Sequence, residues 1–151
     1  MKTGMSEQSR KLVAGKLEEV FVLTYVLYLK TQNAHWNYAG RDFFSLHLLL
    51  EKQYEDLADS VDELAERVRA LDFFVTVSPA FFQKKSNILF KDSLLASEMI
   101  QDLVTSHEIW ICQVREVCEI VENEKDAGTL DLLGKRLATH EKFLWMLKNY
   151  L

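Results

Sequence analysis

The stretch Asn33–Arg67 reads NAHWNYAGRDFFSLHLLLEKQYEDLADSVDELAER. It joins two long helical patterns, and its short break decides how they pair. The first pattern runs from about Arg10 to about Asn37, with Leu12, Gly15, Val20, Leu23 and Leu27 marking an apolar side that Val13, Phe21, Val22 and Val26 widen. A helix apolar over so much of its circumference is buried on more than one side. The segment Asn37–Gly40 then stops it, with Gly40 suited to a helix C-cap and Asp42 to the next N-cap. The second helix is expected from about Phe43 to Leu71, and so short a connection makes the two antiparallel neighbours.

Beyond this hairpin two more long helices are expected, with no internal repeat of sequence. A third helix is expected from about Asp92 to Asn123, with Ala96, Met99, Leu103, His107, Trp110, Val114, Val117 and Val121 as its seam. A fourth runs from about Thr129 to Tyr150, where Leu130, Leu133, Leu137, His140, Leu144, Leu147 and Leu151 recur every three or four residues. The connection between the second and third helices, residues 72–91, is long for a bundle. Within it VSPAFFQKK predicts a short helix, with Ser78 as N-cap and Pro79 at the first position. Four helices with one long central crossover describe an all-α, ferritin-like four-helix bundle. Residues 1–9 read as a flexible N-terminal segment and residues 10–151 as one bundle domain.

Composition agrees. Of 151 residues, 48% are apolar and 27% charged, and one proline and five glycines leave little room for a many-turned β fold. The net charge of −5 disfavours generic nucleic-acid affinity, which needs Lys and Arg on phosphates. Cys112 and Cys118 stand six apart on one expected helix and point to different faces, so they read as reduced thiols. No apolar run has the length of a signal peptide or membrane span, and the expected location is cytoplasmic.

The second helix carries the chemistry. His47 and Glu51 are four apart, as are Asp62 and Glu66, and Glu51 and Asp62 differ by only about 20° around the axis. The four groups share a face, yet His47 and Asp62 are separated by roughly 22 Å at 1.5 Å per residue. Metal–ligand bonds are about 2 Å, so one ion cannot touch both ends of this row. A second copy packed antiparallel across a two-fold axis near Asp56 and Leu57 removes the difficulty. It brings His47 and Glu51 of one chain opposite Asp62 and Glu66 of the other, twice per dimer. His35, near the end of the first helix, is close enough to the turn to join His47. Mixed nitrogen and oxygen ligation suits Fe²⁺, and also Zn²⁺ or Mn²⁺. The same acids equally suit a solvated helix face, with ordinary ion pairs such as Glu63 with Arg67.

Residues 30–67 closely resemble the signature region of the Dps proteins, or miniferritins. The resemblance rests on His35-Trp36-Asn37, Gly40, Phe43-Phe44, Leu46-His47 with an acid four residues on, and Asp62-Glu63-Leu64-Ala65-Glu66-Arg67. Glu141–Leu147, EKFLWML, adds a further match near the end. The Glu-x-x-His motif of the larger di-iron ferritins is not found. The resemblance implies a hollow shell of twelve subunits that oxidises Fe²⁺, commonly with hydrogen peroxide and otherwise with O₂, and stores Fe³⁺ mineral. It places the ferroxidase ligands on His35, His47, Glu51, Asp62 and Glu66, with iron singly or in pairs and Zn²⁺ as another occupant. It also implies acid-lined pores, for which Asp131 matches best and Asp126 second, although Asp126 equally suits a helix cap. Trp36 is a candidate neighbour of the site that intercepts stray oxidising equivalents, or else an anchor for the helix end.

His107 and His140 lie on seams and read as hydrogen-bonded core residues rather than ligands. DNA-binding members of the family use mobile basic tails. The first eleven residues here hold Lys2, Arg10 and Lys11 against Glu7, and no basic tail follows the last helix. DNA binding is therefore expected to be weak, even with many copies acting together.

Overall fold

In a computed structural model, which describes residues 2–91 and 95–151, five helices follow in order: α1 Glu7–Asn37, α2 Phe43–Ala70, α3 Pro79–Lys85, α4 Ala96–Asn123 and α5 Ala127–Lys148. No strand occurs among the described residues. Four are long, and α3 is the short helix of the crossover, so the all-α four-helix bundle is the fold observed.

Local chemistry sets the helix ends. The α1 helix starts three residues ahead of the expected Arg10, because the Ser6 side chain accepts the Ser9 N–H at 3.0 Å and caps the first turn. Ser78 caps α3 in the same way, taking the Phe81 N–H at 3.1 Å with Pro79 in the first turn. Asp126 caps α5, which begins at Ala127, two residues before the expected Thr129. The expected start of α4, Asp92, lies outside the described residues.

The turn between α1 and α2 corrects one expectation. Gly40 is not the C-cap of α1. That position is Tyr38, in extended backbone, whose N–H bonds the Ala34 carbonyl at 2.9 Å. Gly40 is small for another reason: a Cβ there would lie 2.5 Å from the Tyr38 hydroxyl. The glycine makes room for the Tyr38 ring to fold back over the turn.

Packing follows the apolar stripes. On α2 the stripe is Leu46, Leu50, Gln53, Leu57, Ser60, Leu64 and Val68, all buried. Burial of each such leucine is worth about 1.5–3 kcal/mol. The α1 helix packs on both α2 and α4 and is buried around much of its girth. Antiparallel order is visible in the contacts. Tyr28 meets Tyr54 across α1 and α2, and the Trp110 Nε1–H donates to Thr24 at 2.9 Å across α4 and α1. Lys30, buried in α1, ties Asp102 of α4 at 2.7 Å to the Leu89 carbonyl of the crossover at 2.8 Å. The α5 helix packs mainly on α4. Arg136 reaches back from it to Asp56 of α2.

Candidate metal centre

His35 sits in the last turn of α1 and His47 in the second turn of α2. Their rings stack, with centroids 3.8 Å apart and planes inclined by 18°. His35 Nδ1 lies 3.0 Å from the His47 carbonyl oxygen, and His47 Nδ1 lies 3.0 Å from the His35 carbonyl oxygen. A carbonyl can only accept, so each Nδ1 carries the hydrogen. Each Nε2 is then left with a free lone pair, the form in which imidazole binds a metal. The lock is cheap to build, because the last four carbonyls of a helix have no partner within it. His35 is one of those residues.

The surroundings hold the two rings in place. Phe43 lies against His47 with centroids 5.1 Å apart. Tyr54 stands edge-on to His35, also at 5.1 Å. Glu51 follows one turn after His47 and is half-buried. Burial, and then the Glu51 and Glu55 carboxylates, push the Tyr54 phenol above its ordinary value. Trp36 is 65% exposed beside His35 in the chain.

Asp62 and Glu66 are exposed further along the same helix. Their face is turned well away from the buried stripe of α2, as expected from the helical spacing. The ion pair that spacing allows between Glu63 and Arg67 does not form. Arg67 turns instead to Asp126 at 2.7 Å and to the Thr129 hydroxyl at 2.9 Å. Among the described residues no ion pair engages Asp62 or Glu66. A single chain does not bring the five ligand candidates together: no group of three or more His, Cys, Asp or Glu side chains suited to a metal forms among the described residues.

The two pore candidates differ sharply. Asp126 is 4% exposed. It accepts the Thr129 N–H at 3.1 Å, the Thr129 hydroxyl at 2.6 Å and the Arg67 guanidinium. Burial pushes its carboxyl up, but the bonds from Thr129 and Arg67 outweigh that and hold it below the usual carboxylate range. Asp131 is exposed, and among the described residues its ion pair is with Lys135, at 2.7 Å.

His107 and His140 are core residues that bond each other, as their seam positions suggested, with 3.2 Å between their Nδ1 atoms. Trp110 stacks on His140 at 3.5 Å. Two partners were not foreseen, the Arg67–Asp126 link between α2 and α5 and the contact of Tyr54 with His35. The first has a signal in hindsight, since Thr129 three residues after Asp126 marks a cap that draws a cation. The second depends on the register of α1 against α2, which no local motif encodes.

Comparison with known proteins gives a consistent result. A ferritin-like domain family matches residues 14–151. The DNA protection during starvation protein of Helicobacter pylori is 32% identical over 128 residues, covering 83% of this chain and 89% of its own. A low temperature-induced protein of Nostoc is 32% identical over 98% of this chain and 84% of its own. The Dps of Thermosynechococcus elongatus superposes with a TM-score of 0.89 at 31% identity, over 95% of this chain and 92% of that one. The Dps of Vibrio cholerae superposes with a TM-score of 0.91 at 30% identity, over 99% and 95%. That protein is described as a member of a broad superfamily of ferritin-like diiron-carboxylate proteins.

Proposed function

The chain belongs to the Dps miniferritins of the ferritin-like superfamily, and from that premise we propose that it is a ferroxidase and iron store. In this reading Fe²⁺ is oxidised by hydrogen peroxide at sites shared between two subunits, and Fe³⁺ is held as mineral inside a shell of twelve copies. The observation that carries it is the reciprocal lock of His35 and His47, which fixes two imidazoles with Nε2 lone pairs one turn from Glu51. It supports the reading because a metal-bound imidazole is oriented by the hydrogen bond that its other nitrogen makes.

The acids supply the rest. Asp62 and Glu66 lie too far along α2 to reach their own His47, and they are left unpaired on its open face. An antiparallel copy of α2, turned about a point near Asp56 and Leu57, presents them to the partner's histidines. Two-fold symmetry then makes two equal sites. Iron is the substrate here. The histidines bind it as neutral donors, and the carboxylates favour loss of an electron because they stabilise Fe³⁺ more than Fe²⁺. Zn²⁺ fits the same donors and competes for them. Trp36, 65% exposed and next to His35 in the chain, is assigned in this reading either to anchoring the helix end or to intercepting stray oxidising equivalents.

Asp131 is the acid proposed to draw Fe²⁺ through a pore where three subunits meet, since it is exposed while Asp126 is committed to Arg67 and Thr129. The relatives' names point to DNA, but a net charge of −5 repeated around a shell opposes phosphate binding. DNA compaction is therefore not assigned. No helix among the described residues is long and apolar enough to cross a membrane, and a cytoplasmic setting is part of the proposal.

The direct test is stopped-flow oxidation of Fe²⁺, with hydrogen peroxide and separately with O₂, on the assembled protein and on the His35→Ala/His47→Ala variant. Loss of fast oxidation in a variant that still assembles supports the site. Equal rates remove it.

A further inference from the structure

A groove opens between α2 and α5. Two ion pairs tie these helices, Asp56 to Arg136 and Arg67 to Asp126, and both lie at or beyond Asp56. Back from Asp56 toward the start of α2, α5 leans the other way. It is held to α4 by Lys148 on Glu108 at 2.6 Å and by Glu141 on Arg115. The parted helices leave a space of about 560 Å³, within the range of small-molecule sites. On α2 the groove side is centred about 100° around the axis from the side that carries His47, Glu51, Asp62 and Glu66. It is therefore not the face on which a second α2 is proposed to pack.

The floor is apolar, with Leu49 of α2 against Phe143 and Met146 of α5, and Leu48 at the rim is 41% exposed. Leucine and methionine fit themselves readily to an aliphatic chain. The polar groups of the groove divide into two kinds. Ser45 donates to the Asp42 carbonyl at 3.1 Å, Thr139 donates to the Lys135 carbonyl at 3.1 Å, and Asp56 is paired with Arg136. Lys52 and Lys142 also line the groove, and among the described residues neither has a hydrogen bond or ion pair. The register set by Asp56 with Arg136 and Arg67 with Asp126 puts Lys52 level with residues 140 and 141 of α5. Lys142 thus lies within one helical turn of it along the axis, on the opposite wall. Two uncommitted cations, with the one acid of the groove already neutralised, make a local positive field in a chain of net charge −5.

We propose that this groove binds a small amphipathic anion, an aliphatic chain ending in a carboxylate. The chain lies on Leu49, Phe143 and Met146, and the carboxylate sits between the Lys52 and Lys142 ammonium groups. A purely apolar ligand leaves both lysines unmet, and an inorganic oxyanion leaves the floor wet. The Asp56–Arg136 pair closes one end of the groove, which suits a short ligand rather than a helix running through.

The test is isothermal titration calorimetry of the assembled protein with three probes, octanoate, octanol and inorganic phosphate. Octanoate is expected to bind once per chain, and the other two at least about tenfold more weakly, since each meets half of the site. Lys52→Gln with Lys142→Gln removes both charges, and should weaken octanoate about tenfold while leaving octanol unchanged. Met146→Glu sets a negative charge on the floor and should abolish octanoate binding. Circular dichroism and native mass spectrometry check that each variant folds and assembles. Octanoate that fails to bind the parent, or binds the Lys52→Gln/Lys142→Gln variant as tightly as the parent, overturns the site. Equal affinity for octanoate and octanol overturns it as well. Octanoate binding that appears only after dissociation of the assembly assigns the groove to a neighbouring copy and also overturns it. Fe²⁺ oxidation should proceed unchanged with octanoate bound, so this site and the ferroxidase reading stand or fall on separate measurements.

Discussion

His107 and His140 meet nitrogen to nitrogen in the bundle core, with 3.2 Å between Nδ1 atoms and neither residue exposed. One Nδ1–H donates and the other Nδ1 accepts, so the pair is made of two neutral rings. Burial pushes His107 down to about 3, from an ordinary 6.5. Burial, then the neighbouring His107 and the Arg136 guanidinium, push His140 well down too.

The sign of the consequence is fixed. Between pH 6.5 and about 3 the unfolded chain binds a proton at His107 that the folded chain refuses, and His140 is shifted in the same direction. Stability from His107 is fully present above pH 6.5 and is lost as pH falls through that window, at about 1.4 kcal/mol per pH unit, with His140 adding to the loss. The depressed Asp126 carboxyl adds to the loss lower in the acid range. Chemical denaturation of the assembled protein across this range should show the slope, and His107→Leu with His140→Phe should flatten it. An equal slope in that variant places the acid sensitivity elsewhere.

Asp126 and Asp131 should separate by their failures. Asp126→Ala removes a helix cap and the partner of Arg67, and should cost about 2 kcal/mol of stability, the Arg67 bond being discounted for its partial exposure. Asp131→Asn should leave the melting curve in place and slow iron uptake when Fe²⁺ is limiting. The checks are thermal denaturation and uptake kinetics at low Fe²⁺. Unchanged uptake in Asp131→Asn takes that residue out of the iron path.

Zn²⁺ should bind where Fe²⁺ is oxidised. Calorimetry should find tight Zn²⁺ sites in the parent, weakened at least about tenfold by His47→Ala. Zn²⁺ added first should suppress the fast phase of Fe²⁺ oxidation. Full-rate oxidation with Zn²⁺ bound means that the two metals use different donors.

Much of this was legible because helices announce themselves by period. The four long helices, the short one at Pro79 and the core seams carrying His107 and His140 all follow from spacing and breakers. Gly40 was misjudged because a glycine after a helix usually adopts the left-handed cap, whereas this one clears space for the Tyr38 ring. The reciprocal bonds of His35 and His47 were beyond reach, since they depend on how the turn sets one helix against the other. Glu63 and Arg67 show the same limit. Their spacing allows an ion pair, but a buried cap at Asp126 offers Arg67 a better one. The distance between His47 and Asp62 needed no structure, because helix rise alone fixes it, and that distance is the ground for proposing a site shared between two subunits.

The sharing of each site between subunits can be tested by mixing. One variant carries His35→Ala with His47→Ala, the other Asp62→Asn with Glu66→Gln, and each alone should lack fast Fe²⁺ oxidation. Dissociated and reassembled together, they form mixed dimers in which intact histidines of one chain face intact acids of the other. Recovery of fast oxidation in the co-assembled shell, absent from either parent variant reassembled alone, is the result expected. Co-assembly verified by mass spectrometry with no recovered activity would contradict a site built from two chains.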